Sequence, residues 1–361
     1  MSVLKQTEIN LSNFIIRFLR FRGNQEYISE ASDSFEFSGK IKMLLLRQDR
    51  IGDVIISIPV VKYLREKFPD SQIDMLFSKY NLGAAGAVKP FISNTYCYSK
   101  KLLKDIALIR RLRKQNYDVI IDMFDNPSTT SALLVKLIKP DYSVGLDKEN
   151  NYLYSHIVPL PDRRKVHIVE RTANLLLPFG LDPGRLDLSL DYYVTLQDNA
   201  RARELLGPKQ KKGRLGINLS GSNISKYWGT QNYIEFIKSV SANYKGMDII
   251  VFGMKTNREE VNKILSSTNA RKAPFVDSVH DYALMLGTCD YLLTTDTSAV
   301  HFAAAFQVPT LALYSIPNGD NNLKPWLPYK NKHVAVSTTS RNISKIAPAE
   351  VARAFDKLIT K

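Results

Sequence analysis

From residue 41 onward, short apolar runs alternate with longer stretches whose apolar positions recur every three or four residues. That rhythm predicts strand, then helix, repeatedly, and hence a parallel α/β architecture. A first strand is expected over 41–47, followed by a turn at 48–52. Ile55, Ile58, Val61, Leu64 and Phe68 then trace one helical face, in which Pro59 must either kink the helix or mark its true first turn. Further strands are expected at 73–77, 119–123 and around 142–145, with a basic helix at 102–112. Gly180-Leu-Asp-Pro-Gly184, a strand-like run to Val194 and the basic loop at 209–214 punctuate the chain. A second series follows: strands at 214–219, 248–252, 291–295 and 310–314, helices at 230–243, 258–266, 282–287 and 297–306, and a final helix at 347–358. The expected organisation is an α/β domain over 41–190, a second over 191–340 and a C-terminal helix over 341–361.

Residues 1–40 stand apart. Leu11, Phe14, Ile15, Phe18 and Leu19 fall on one helical face, Arg17, Arg20 and Arg22 lie between or after them, and Gly23 is a suitable stop. An N-terminal amphipathic helix of this kind suits an interfacial membrane anchor. It equally suits packing on the protein's own core, because periodicity reports burial without naming what buries it. Residues 24–40 are polar and acidic and read as a connector. No apolar run reaches the ~18–20 residues that span a bilayer, and no signal-peptide pattern is present.

Lys and Arg number 50 against 35 Asp and Glu, a net charge of +15 that asks for an anionic partner. Nucleic acid, acidic lipid and phosphorylated glycan all qualify. The absence of zinc-finger spacing, RNP-type aromatic motifs and a basic zipper disfavours nucleic acid. Cys97 and Cys289 are the only cysteines and have no CxxC spacing, so a reducing, cytoplasmic setting is the simplest inference.

Three turns carry candidate chemistry. In Arg47-Gln-Asp49-Arg50-Ile-Gly52-Asp53, Gly52 would allow a tight turn and close backbone approach. Asp49 and Asp53 sit where a carboxylate could take a proton from an acceptor hydroxyl. The same residues would also serve if Asp53 capped the following helix and Asp49 paired with an arginine. In Ser220-Gly221-Ser222-Asn223-Ile-Ser225-Lys226-Tyr-Trp228, small hydroxyl residues and glycine could cradle a diphosphate, with Lys226 as point charge. Neither Gly-x4-Gly-Lys-Ser/Thr nor Gly-x-Gly-x-x-Gly occurs, which removes the usual support for an ATPase or nicotinamide enzyme. Asp296-Thr297-Ser298-Ala-Val-His301 follows an apolar strand and opens a small-residue helix. It is either an ordinary cap or an anion site, with His301 as an added donor.

Taken in this order, the three turns resemble glycosyltransferase family nine, which contains the heptosyltransferases of lipopolysaccharide core synthesis. The likeness runs from residue 41 to about 316. It includes Tyr117-Asp-Val-Ile-Ile-Asp122, Val144-Gly145-Leu and His167-Ile-Val-Glu170-Arg171 followed by Phe179-Gly180-Leu181. The resemblance implies a GT-B fold, two Rossmann-like domains facing a central cleft. It also implies an inverting, metal-independent transferase with a nucleotide-diphosphate sugar as donor, ADP-heptose foremost, and no cofactor. On that likeness Asp53 is the general base. Gly221, Ser222 and Lys226 bind the phosphates, Asp296, Thr297, Ser298 and His301 form the donor turn, and Arg47, Asp49 and Gly52 lie on the acceptor side. Because carboxylate beside phosphate is repulsive, Asp296 is expected to orient hydroxyls or cap backbone N–H groups. Ser298 stands where the best-known members carry glycine, and Asn257 where an acidic ribose-binding residue is often found. The implied acceptor is an anionic glycolipid on the cytoplasmic face of the inner membrane. The basic clusters at Lys100-Lys101, Arg110–Lys114 and Arg163–Lys165 would then meet acidic headgroups or core sugars. Two alternatives remain open at this point: the same fold using another nucleotide sugar, and a noncatalytic protein that binds sugar nucleotides or glycans.

Overall fold

The computed structural model describes residues 23–37, 39–209, 212–221, 223–317 and 323–360. The expected N-terminal amphipathic helix and Ser222 lie outside the described residues. The described chain forms two compact units. One runs up to Asp162 and adds Ile168–Leu188; the other joins Arg163–His167 to the chain from Ser189 onward.

In the first unit the strands are β1 (Glu26–Tyr27), β2 (Lys42–Leu46), β3 (Gln72–Ser78), β4 (Asn94–Tyr98), β5 (Val119–Asp122), β6 (Tyr142–Leu146) and β7 (His156–Val158). They form one sheet in the order β1-β7-β6-β5-β2-β3-β4, with every pairing parallel. The apolar runs of β2 and β5 occupy its middle and are buried almost throughout, as a sheet covered on both faces requires. The helices are α1 (Ile51–Ile56), α2 (Ile58–Lys67), α3 (Leu102–Arg113), α4 (Thr129–Ile138) and α5 (Ile168–Ala173). Pro59 lies in the first turn of α2, after a break at Ser57, where a missing N–H costs nothing.

Two expectations need correction here. Residues 24–40 are not a bare connector: β1 adds an edge strand beside β7, and Phe35 and Phe37 share one face of an extended segment. Their rings meet Tyr142, Phe179 and Phe68, and Phe35 lies edge-on to His156 at 4.6 Å. Gly52 does not form a turn either. The helix begins at Ile51, so Gly52 is already helical and buried, and it is not among the described glycines with positive φ.

In the second unit β8 (Arg214–Asn218), β9 (Asp248–Phe252), β10 (Arg271–Lys272), β11 (Tyr291–Thr295), β12 (Thr310–Ser315) and β13 (His333–Thr338) form a sheet ordered β10-β9-β8-β11-β12-β13. It too is wholly parallel. Its helices are α6 (Leu196–Leu206), α7 (Thr230–Asn243), α8 (Arg258–Ser267), α9 (Val279–Gly287), α10 (Ser298–Ala305) and α11 (Pro348–Thr360). No strand forms over 186–194, although Leu188, Leu190 and Tyr192 alternate inward and are buried. Trp228, Tyr233, Phe236 and Phe355 build the core, and the Trp228 indole donates to the Ile346 carbonyl at 2.9 Å.

The amino ends of this sheet are clamped by charge. Arg214, Asp248 and Arg271 open β8, β9 and β10. Asp248 accepts from Arg214 at 2.8 Å and from Arg271 at 2.7 Å. Burial raises the Asp248 carboxyl, but the two guanidinium partners outweigh it and hold the group below its ordinary value. The candidate residues sit at the opposite, carboxyl ends of the strands, where open parallel sheets bind ligands.

Candidate functional site

In the first unit the candidate residues follow β2. Arg47 is nearly inaccessible to solvent and is fixed from several sides. Its Nε donates to the Asp53 carbonyl at 2.9 Å and its Nη1 to the Met123 carbonyl at 2.6 Å. Asn81 donates to the Arg47 carbonyl at 2.7 Å. One guanidinium therefore faces two carboxylates, with Asp49 Oδ2 at 3.2 Å and Asp53 Oδ1 at 4.0 Å. Asp49 is the tighter partner. Its other oxygen, Oδ1, is buried without a hydrogen bond. Burial pushes the Asp49 carboxyl up to about 7, with Arg47 pulling it back and Asp53 adding to the rise.

Asp53 makes no capping bond at the start of α1. It sits in the first turn, where the helix dipole favours a carboxylate, and its side chain is 17 % exposed. The turn thus divides the two acids: Asp49 is the arginine's close partner, and Asp53 is the looser one. Gln48 is anchored to Ser131 at 3.0 Å.

The motif residues around this turn are packing positions. Asp122 is wholly buried and accepts from Lys148 at 3.0 Å and from the Tyr154 hydroxyl at 2.5 Å. Tyr117 donates to Asp74 at 2.6 Å. Gly145 lies against Tyr154 so closely that a Cβ there would stand 2.3 Å from the ring. Arg171 of α5 pairs with Asp125 at 2.9 Å. In the second unit His167 lies 2.9 Å from the Leu327 carbonyl, and burial pushes its pKa down to about 3 against the raising effect of that hydrogen bond.

In the second unit the two candidate turns converge. Asn218 ends β8 and ties them together: its amide donates to Thr294 at 3.0 Å, to Thr297 at 3.3 Å and to the Ser220 carbonyl at 3.2 Å. The loop then folds through a short 3-10 turn at Ile224–Lys226, whose Lys226 N–H donates to the Asn223 side chain. Gly221 lies close against the end of this turn, where a Cβ would sit 3.2 Å from the Lys226 carbonyl oxygen. Lys226 Nζ crosses to the other turn and donates to the Asp296 carbonyl at 2.8 Å and to its carboxylate at 2.5 Å.

The expected roles at this turn therefore change in one respect. Thr297 caps α10, its hydroxyl accepting from the Ala299 N–H at 3.3 Å, while the Asp296 carboxylate is committed to Lys226. The reason is charge: an ammonium within reach outcompetes a neutral N–H for a carboxylate. The pair is accessible, at 26 % for Lys226 and 41 % for Asp296, so an anion can compete for the lysine.

Lys226 and Asp296 share a cavity of about 300 Å³ with Ser225, Ser315, Arg341 and Ile343. Arg341 has no signal in the strand and helix pattern. It lies just beyond β13 on a loop tied to the end of β12 by the Ser315 hydroxyl, 2.6 Å from the Ser340 carbonyl. Gly221, Thr297, Ser298 and His301 do not line this cavity. His301 is buried with its ring centre 6.3 Å from Trp326. Asn257 precedes α8 beside Gly253, and its side-chain oxygen approaches the Met254 N–H at 3.4 Å. A larger cavity of about 580 Å³, lined by Ser29–Ser32 and Gly180–Asp182 among others, contains none of the candidate residues.

The chain and its fold resemble known proteins. The chain is 23 % identical over 345 residues to lipopolysaccharide heptosyltransferase 3 of Escherichia coli K12, covering 85 % of this chain and 95 % of that protein. The glycosyl transferase family 9 structure from Veillonella parvula superposes with a TM-score of 0.76 at 18 % identity, over 91 % of this chain and 99 % of the other. The E. coli heptosyltransferase WaaC, solved with ADP-2-deoxy-2-fluoro heptose, gives a TM-score of 0.69 at 17 % identity, over 88 % and 99 %. Residues 106–350 match the model of glycosyltransferase family 9 (heptosyltransferase). The protein belongs to that family and is a glycosyltransferase of GT-B fold.

Proposed function

We propose that the protein moves a heptose from ADP-heptose onto the core of a lipopolysaccharide or lipooligosaccharide, with inversion and without a metal. In this reading the Asp53 carboxylate takes the proton of an acceptor hydroxyl as its oxygen attacks the anomeric carbon. The bond from that carbon to the diphosphate breaks, and the nucleoside diphosphate leaves with the electron pair. Lys226 exchanges Asp296 for the diphosphate and, with Arg341 at the cavity edge, meets the charge that builds on the leaving group. The acceptor is an anionic glycolipid, which gives the +15 net charge a use and puts the enzyme on the cytoplasmic face of the inner membrane.

The observation that carries the reading is the cavity that joins Lys226 and Arg341 at the carboxyl ends of β8, β12 and β13. It offers two cations at the place where the sheet type binds ligands, and the relative solved with an ADP-heptose analogue has the same fold. A second reading, the same transfer with another nucleotide sugar, is favoured by Ser298 and Asn257, which depart from the family residues beside the donor. Thermal unfolding against ADP-heptose, UDP-sugars and GDP-sugars separates the two, followed by transfer to purified core glycolipid. ADP-heptose should raise the midpoint most and yield a heptosylated product of inverted anomeric configuration. Stabilisation by UDP- or GDP-sugars alone would overturn the donor assignment.

A further inference from the structure

Helix α3 is apolar on two sides. Leu112 is buried, and Leu108 and Ile109 pack on the core of the first unit. At its amino end, however, Leu102 and Leu103 are 77 % and 82 % exposed, which the fold does not require. Tyr80, 62 % exposed, is joined to the residues just before the helix by Lys100, which lies 5.4 Å from its ring centre, with Lys79 at 4.9 Å. Two adjacent leucines in water, with an exposed tyrosine linked to the helix start through Lys100, mark an interaction surface more than a scatter of single residues would.

The charges around them have one sign. Between Ser99 and Gln115 the chain carries Lys100, Lys101, Lys104, Arg110, Arg111, Arg113 and Lys114 against a single acid, Asp105. That acid is turned inward, buried and accepting from both the N–H and the hydroxyl of Ser99 at 2.8 and 2.9 Å. The outward face therefore presents leucines and cations together. The chain enters the helix through a left-handed Lys100, φ 60°, and the Lys101 N–H donates to the Ser99 hydroxyl at 3.2 Å.

An acidic polysaccharide would use the cations and leave the leucines in water. A bilayer with anionic headgroups uses both, the charges at the surface and the apolar side chains at the boundary with the acyl chains. We propose that the start of α3, with Tyr80, is the surface by which the protein docks on an anionic lipid bilayer, with Leu102 and Leu103 entering it. This rests on the lipid-borne acceptor of the proposed function and adds to it where the enzyme touches the membrane.

The test uses the full chain and vesicles of phosphatidylcholine with or without phosphatidylglycerol. In Leu103→Trp, the added indole should shift to shorter emission wavelengths with phosphatidylglycerol vesicles and be quenched by brominated acyl chains. The double variant Leu102→Ser/Leu103→Ser should keep its unfolding midpoint and nucleotide affinity while its vesicle partitioning falls roughly tenfold or more. An unshifted indole overturns the proposal. So does full partitioning of the serine variant, whether residues 1–22 or the charges alone then carry the binding. Because partitioning needs no turnover, vesicle binding without sugar transfer would leave the docking surface standing and remove the proposed reaction. Transfer to a soluble acceptor without vesicle binding would do the opposite.

Discussion

Replacing Asp49 by asparagine isolates what one guanidinium does for two carboxylates. Arg47 stands 3.2 Å from Asp49 and 4.0 Å from Asp53, so one positive charge is shared, and Asp49 is buried with its Oδ1 left unbonded. Burial, aided by the neighbouring Asp53, outweighs Arg47 and raises the Asp49 carboxyl from 3.8 to about 7. Between those values the folded chain holds a proton that the unfolded chain has released, so stability falls as pH rises. The contribution is complete below 3.8, is lost progressively as pH climbs to about 7, and is constant above that. Roughly three units at about 1.4 kcal/mol each put the loss on the order of 4 kcal/mol. An asparagine side chain cannot ionise, so Asp49→Asn should be close to the parent at pH 4 and more stable than it at pH 8. Urea unfolding of both proteins across that range, followed by a probe in the first unit, measures the difference. Parallel pH profiles would show that Asp49 is ionised throughout and that burial does not control it.

Four further substitutions probe the rest of the account. Lys226→Ala should weaken ADP binding by about tenfold or more, the worth of a charged hydrogen bond, as read by calorimetry. Arg341→Ala should likewise lower affinity for ADP much more than for AMP; equal losses for both would place Arg341 away from the terminal phosphate. Asp248→Ala leaves Arg214 buried without its partner, and should cost about 3–5 kcal/mol in denaturant unfolding. Gly145→Ala sets a methyl 2.3 Å from a ring whose hydroxyl is tied to Asp122, and should cost about 1–3 kcal/mol by overpacking, visible as a lower unfolding midpoint.

The elements with strong periodicity were legible before any coordinates. The helix over Thr230–Asn243 and the strand over Tyr291–Thr295 have the bounds that their apolar patterns predict. Elements at sheet edges were not legible, because edge strands need no apolar run: β4 reads Asn-Thr-Tyr-Cys-Tyr, and β13 is half exposed. Helix α6 did leave a signal, the Thr195–Asp198 capping box, but few apolar residues follow it. At the site, Lys226 and Asp296 were both singled out, yet their mutual contact joins turns 70 residues apart and no spacing rule could show it. Asn218, although part of the loop motif, had no role in sight, and Arg341 drew no attention, for a related reason. Each matters through what strand order places beside it, and local sequence is silent on strand order.

The central claim is that Asp53 carries the chemistry while the Lys226 cavity carries the donor. Asp53→Asn, assayed with ADP-heptose and core glycolipid and titrated separately with ADP, tests it most directly. Turnover should fall by about 10²–10⁴, the usual worth of a general base, while ADP affinity stays at the parent value. Turnover close to the parent's would contradict the claim and turn attention to Asp49, the other carboxylate on Arg47.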